Sequence, residues 1–172
     1  QGLGKVGSAL AQLLHKAGAT LYVSDMGPER VAHAIRDYGA DPIHGHEVYR
    51  VDCDIFAPCA LGGIINERSI ESLSCKIIAG AANNQLKMLD IADALKDRNI
   101  LYAPDYVLNA GGLINISEEL KGYGQELAYE KISKIYDRMK GIISLAKKEF
   151  ISTAVAAERL AEVRLYAKST DV

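Results

Sequence analysis

Apolar and polar positions alternate between two patterns along the first hundred residues. Lys5 to Lys16 places Val6, Ala9, Leu10, Leu13 and Leu14 near one face of a helix, and Gly18 stops it. Residues 19–25, ATLYVSD, form instead a short run rich in strand formers that ends on an acid. Pro28 opens a second helix, which Gly39 ends. Three further apolar runs follow: DCDIFAPCA (52–60), stopped by Pro58, KIIAGAA (76–82) and NILYAPD (99–105). A helical segment of roughly Leu86 to Asp97 lies between the last two.

The strand runs are continuous rather than alternating, as in a parallel sheet covered on both faces. Strand alternating with helix predicts an α/β fold, and right-handed crossovers make it doubly wound. From Ser117 onward there is no strand signal. Two long helices are expected there, at about 124–148 and 153–168, with Ser152 or Thr153 capping the second. The stripe Ile132, Ile135, Met139, Ile142 and Ile143 has the spacing of a packed helix face. The chain therefore divides into a Rossmann-type domain, residues 1–123, and C-terminal helices, residues 124–172.

Composition removes several classes of function. Twenty Lys+Arg balance 22 Asp+Glu, which gives no electrostatic footprint for nucleic acid or an anionic membrane. No apolar run is long enough to span a bilayer. Cys53, Cys59 and Cys75 are odd in number and form no CxxC pair, so they read as reduced thiols of a cytoplasmic protein. His44 and His46 lack a third ligand and read as a surface loop, with no metal site.

The candidate chemistry lies at strand ends. Gly2, Gly4 and Gly7 stand at GxGxxG spacing: the first for a tight turn, the second for close approach of a diphosphate, the third for helix packing. The helix that follows offers free amides and a positive dipole end to an anion. Gly2, Leu3, Gly4, Lys5, Val6 and Gly7 form the expected cradle. Asp25, 21 residues beyond Gly4, can take both hydroxyls of an adenosine ribose and repel a 2′-phosphate. That predicts NAD over NADP, a preference Arg30 softens if it folds back. Three later strand ends carry PCALGG (58–63), GAANNQ (80–85) and PDY (104–106) leading to NAGG (109–112). Small residues there admit a flat ring, and asparagines present donor and acceptor together.

The segments QGLGKVG, DIFAPCALGGIIN, IIAGAANNQL and YAPDYVLNAGGLIN, in that order, closely resemble the glutamate/leucine/phenylalanine/valine group of amino-acid dehydrogenases, in its leucine and phenylalanine branch. The resemblance implies NAD-dependent oxidative deamination of an L-amino acid to its 2-oxo acid and ammonia. It implies that Cys59 and Ala60 lie against the cofactor, and that Ala81 and Asn83 lie near its nicotinamide. It also implies that Asn109 orients substrate and nicotinamide, while Leu113 and Ile116 line the pocket for the substrate's side chain. A first strand and a substrate domain precede the glycine motif in that family and have no match in these residues. The expectation is thus the cofactor-binding part of a longer, homo-oligomeric protein, with no catalytic residue of its own.

Leu113 is similar to the choice in phenylalanine dehydrogenases, whereas Asn115 and STAVAAERLAE are similar to the leucine branch, which favours a branched-chain substrate. Phenylalanine deamination and a non-catalytic NAD-binding module stand as alternatives. A 2-hydroxyacid dehydrogenase would carry a histidine after a late strand, and none stands there.

Overall fold

The computed structural model describes residues 1–120, 122 and 124–169. Tyr123, at the expected domain boundary, lies outside them, as do Thr170, Asp171 and Val172 at the end of the expected C-terminal segment. Two parallel sheets form the frame. In one, β1 (Tyr22–Val23) pairs with β2 (Asp41–Pro42). In the other, β3 (Cys53–Phe56), β4 (Cys75–Ile78) and β5 (Leu101–Tyr102) stand in the order β3-β4-β5. The Gln1–Gly2 backbone bridges the sheets at their carboxyl ends. Gly2 N–H donates to Ser24 C=O at 2.7 Å, and Cys59 N–H donates to Gln1 C=O at 2.7 Å.

Helices cover the strands as the apolar runs require. They are α1 (Lys5–Lys16), α2 (Pro28–Tyr38), α3 (Glu67–Ser72), α4 (Ile91–Asp97), α5 (Asp105–Leu108), α6 (Ala110–Glu119), α7 (Gln125–Glu149) and α8 (Thr153–Ser169). The main core gathers Phe56, Ile65, Ile78, Leu95 and Tyr102 around the three-stranded sheet. A second cluster, with Leu3, Ala11, Val23 and Ala34, fills the space under α1 and α2. A third joins α7 to α8 through Ile142, Ala146, Ala156 and Ala157. Among the described residues no helix is long and apolar enough to cross a membrane.

The α/β expectation holds, and local signals account for several ends. Pro28 opens α2, and Gly39 closes it in the left-handed region (φ 61), letting Ala40 N–H reach back to Ala34 C=O. The packed face of α1 differs from the predicted one. Gly7 and Ala11 are buried, while Val6, Ala9 and Leu13 face outward, because only small residues allow this close approach to the strands. The helix expected from Leu86 begins at Ile91. Neither predicted cap of α8 caps it: the Thr153 hydroxyl donates instead to Tyr102 C=O, tying α8 to β5, and Ser152 Oγ is buried without a partner among the described residues. In the α7 stripe Ile142 is buried, and Ile132, Ile135, Met139 and Ile143 are half-buried.

Candidate functional site

The glycine turn shows three different demands at its three glycines. Gly2 has φ 87, and a Cβ there would meet Ala60 and Cys59 backbone at 2.8 Å. A Cβ on Gly7 would lie 1.9 Å from the Gly2 carbonyl oxygen. At Gly4 a Cβ would touch nothing within 4 Å, so this position faces open space. The first bond of α1 runs from Ser8 N–H to Gly4 C=O at 2.9 Å. The amides of Lys5, Val6 and Gly7 therefore have no carbonyl of an earlier helical turn to meet. No acid stands in that first turn to compete for an anion.

Asp25 closes the other side of this mouth. Leu3 N–H donates to Asp25 Oδ2 and Gly27 N–H to Oδ1, each at 2.6 Å. Arg30 folds back, its Nε and Nη2 each 2.9 Å from Oδ1. The Asp25 side chain is only 8% exposed. Burial pushes its pKa upward, but the two amides and Arg30 outweigh that and hold the carboxyl below its ordinary value. The stability this carboxylate contributes is therefore full above the ordinary carboxylate pKa and is lost as pH falls through the depressed folded value.

A cleft of about 690 Å³ opens between the two sheets at their carboxyl ends, the usual ligand crevice of an open α/β sheet. Gly2, Gly4, Asp25, Cys59 and Ala60 line it. Leu3 contributes its amide, while its side chain is buried in the core. Lys5 and Val6 are exposed on the first turn of α1. Met26, Arg30, His46, Tyr49, Leu61 and Ile64 also line the cleft. Of these the sequence pattern marked Arg30 and, within PCALGG, Leu61, while His46 was expected in a surface loop. The loop expected at His44–His46 leads into a short 3-10 turn (Gly45–Tyr49), and His46 stacks on Tyr49 with ring centroids 6.2 Å apart. The signal missed was β2, whose two exposed residues carry no apolar run.

The remaining strand ends meet beside the cleft. Ala82 N–H donates to Pro58 C=O at 2.9 Å and Gly63 N–H to Asn84 C=O at 2.7 Å, so the loops after β3 and β4 run together. Asn109 Nδ2 donates to Asn83 Oδ1 at 2.6 Å. Beneath them Gln85 and Asp105 are buried. Asp105 Oδ2 accepts from Gln85 N–H at 2.7 Å and Oδ1 from Tyr106 N–H at 2.6 Å. Gln85 Nε2 donates to the carbonyls of Gly80 and Ala82. Ala81 stands half-buried within this loop. The NAGG stretch, expected as a strand-end loop, forms the start of α6, where Leu113 and Ile116 lie one turn apart, 73% and 54% exposed. Neither of these two lines the cleft beside Asp25.

Chemically, this geometry combines an amide-rich helix start, a buried carboxylate and a paired-amide patch along one sheet edge. Residues 25–170 match the family model for glutamate/leucine/phenylalanine/valine dehydrogenase. A leucine dehydrogenase of Geobacillus stearothermophilus is 49% identical over 165 residues, covering 96% of this chain and 45% of that protein. A phenylalanine dehydrogenase of Caldalkalibacillus thermarum is 44% identical over 170 residues, covering 96% of this chain and 46% of its own length. The crystal structure of L-tryptophan dehydrogenase from Nostoc punctiforme superimposes with a TM-score of 0.96 at 46% identity, over 99% of this chain and 51% of that one. The chain thus spans about half the length of the curated relatives it matches.

Proposed function

The chain belongs to the glutamate/leucine/phenylalanine/valine dehydrogenase family, and from that premise we propose that it is the cofactor-binding part of an NAD-dependent dehydrogenase that oxidatively deaminates a branched-chain L-amino acid. Relatives bearing the names leucine, tryptophan and phenylalanine dehydrogenase support the amino-acid class. The observation that carries the cofactor reading is the seat of Asp25, its Oδ2 2.6 Å from the Leu3 amide of the glycine turn. A dinucleotide fits these residues: Gly4 leaves open space at the helix mouth, and the cleft has ligand-sized volume.

Bound NAD would supply the hydride acceptor. The free amides of Lys5, Val6 and Gly7 would hold the diphosphate with the help of the α1 dipole. Oδ2 of Asp25, carrying a single donor at present, retains an acceptor site for a ribose hydroxyl. Cys59 and Ala60 would form the wall beneath the adenosine-to-nicotinamide span. Ala81, Asn83 and Asn109 would orient the nicotinamide carboxamide and substrate, with Leu113 and Ile116 toward the substrate's side chain. Residues 124–172 would lead toward a substrate domain that holds the catalytic groups. The protein would act in the cytoplasm as a homo-oligomer.

Calorimetric titration with NAD tests this directly. Micromolar-range binding is expected, weakened about tenfold or more in Asp25→Ala by loss of a hydrogen bond to a charged group. A folded Asp25→Ala protein with unaltered NAD affinity overturns the assignment.

A further inference from the structure

Resting on the dinucleotide reading, we infer that Arg30 and Gly27 form a displaceable guard on Asp25 that lets the ribose site accept a 2′-phosphorylated adenosine as well as an unphosphorylated one. Two observations carry this. Arg30 reaches back from the first turn of α2 and places both Nε and Nη2 on the same carboxylate oxygen, Oδ1. Its own side chain is 54% exposed, so it can swing away without disturbing the core. Gly27, in turn, has φ −89 and ψ 106, a conformation open to any residue. Backbone geometry therefore does not require glycine there. Only the present seat of Arg30 does: a Cβ on Gly27 would lie 2.8–2.9 Å from Nη2, Cζ and Nε of that flexible side chain, which would have to move. The missing side chain is the berth of the guanidinium.

The consequence is a site with two electrostatic settings. A bare Asp25 carboxylate repels a phosphate. With Arg30 against it the pair is neutral, and the planar guanidinium can grip two phosphate oxygens once it turns outward. Water competes for the exposed guanidinium, while Asp25, 8% exposed, keeps the Leu3 and Gly27 amides when Arg30 leaves. An unphosphorylated ribose would place one hydroxyl at Oδ2, where Leu3 N–H is the single present donor, and the other at Oδ1 as Arg30 leaves it. The same cleft thus serves either nucleotide: the carboxylate reads the hydroxyls, and the arginine reads the phosphate.

The test compares 5′-AMP with adenosine 2′,5′-bisphosphate by calorimetry on the protein, since the two differ only in the phosphate at issue. Both are expected to bind, within about tenfold of each other. Arg30→Ala is expected to weaken the bisphosphate about tenfold or more and to tighten 5′-AMP, because Asp25 loses its competitor. Gly27→Ala should tighten 5′-AMP with no charge altered, by evicting the guanidinium from Oδ1, and leave the bisphosphate its arginine, so that the ratio also shifts toward 5′-AMP. Arg36→Ala removes an exposed arginine of the same helix that pairs with Asp37, and it should leave the ratio in place. A ratio unmoved by both Arg30→Ala and Gly27→Ala, or no bisphosphate binding beside clear 5′-AMP binding, overturns the guard. If neither nucleotide binds a protein shown folded by circular dichroism, the dinucleotide reading itself falls, and the guard with it.

Discussion

At the glycine end of the cleft, a side chain is positioned by backbone. Asp25 is seated by the amides of Leu3 and Gly27, and the turn around it tolerates no added atoms at Gly2 or Gly7. At the Asn83–Asn109 end the relation is reversed, and backbone is positioned by side chains. There the buried Asp105 and Gln85 hold the two loops from below through N–H and C=O groups. The first arrangement fixes a charge with little tolerance for change. The second fixes the distance between two loops while leaving Leu113 and Ile116 uncovered on α6. A group common to many substrates suits the first end, and a variable side chain suits the second.

The largest effect expected from breaking this contrast is at Gly7. Its Cβ would fall 1.9 Å from the Gly2 carbonyl oxygen, a backbone atom that moves only with the whole turn. Gly7→Ala should therefore lose about 3 kcal/mol or more of stability, the upper range of overpacking. A urea melt with an unchanged midpoint would show the turn to be plastic and the first half of the comparison to be mistaken.

Asp105→Asn comes next and probes the other end. An asparagine offers one acceptor where Asp105 offers two, so one of the Gln85 and Tyr106 amides would face an NH₂ group. Leaving a buried donor unpaired costs about 1–3 kcal/mol. The affinity for 5′-AMP should be retained, because the seat of Asp25 shares no bond with this network. Equal losses of stability and of 5′-AMP affinity would mean that the two ends are one coupled unit.

The two ends also differ in how far they could be read from the chain. The glycine turn and the closing Gly39 were legible because each rests on a local backbone requirement tied to residue type, and Asp25 because it ends a strand run 21 residues beyond Gly4. His46 and Tyr49 were not, because β2 pairs through two exposed residues, Asp41 and Pro42, that leave no hydrophobic run. The helix over NAGG was also hidden. Gly111 and Gly112 disfavour helix locally, and tertiary packing overrides them: Glu118, nearly fully buried, pairs with Lys131 and clamps α6 to α7. The wrong face of α1 has the same origin. Val6 and Leu13 satisfy a helical period, yet the strands accept only Gly7 and Ala11 at contact distance.

The smallest change in stability, and the sharpest separation of the three glycines, is expected at Gly4. Its φ of −68 suits alanine, and nothing lies within 4 Å of the added carbon. Removing glycine's extra freedom in the unfolded chain should even offset any cost, so Gly4→Ala should melt within about 0.5 kcal/mol of the parent. A methyl group there would nevertheless stand at the mouth of α1, where the diphosphate is proposed to approach the free amides. NAD affinity should fall about tenfold, equivalent to roughly 1.4 kcal/mol, with folding intact. Gly7→Ala would then lose stability and Gly4→Ala only the ligand, although just two residues separate them. If Gly4→Ala binds NAD as well as the parent, the open space at that position is not the path of the diphosphate, and the glycine turn serves packing alone.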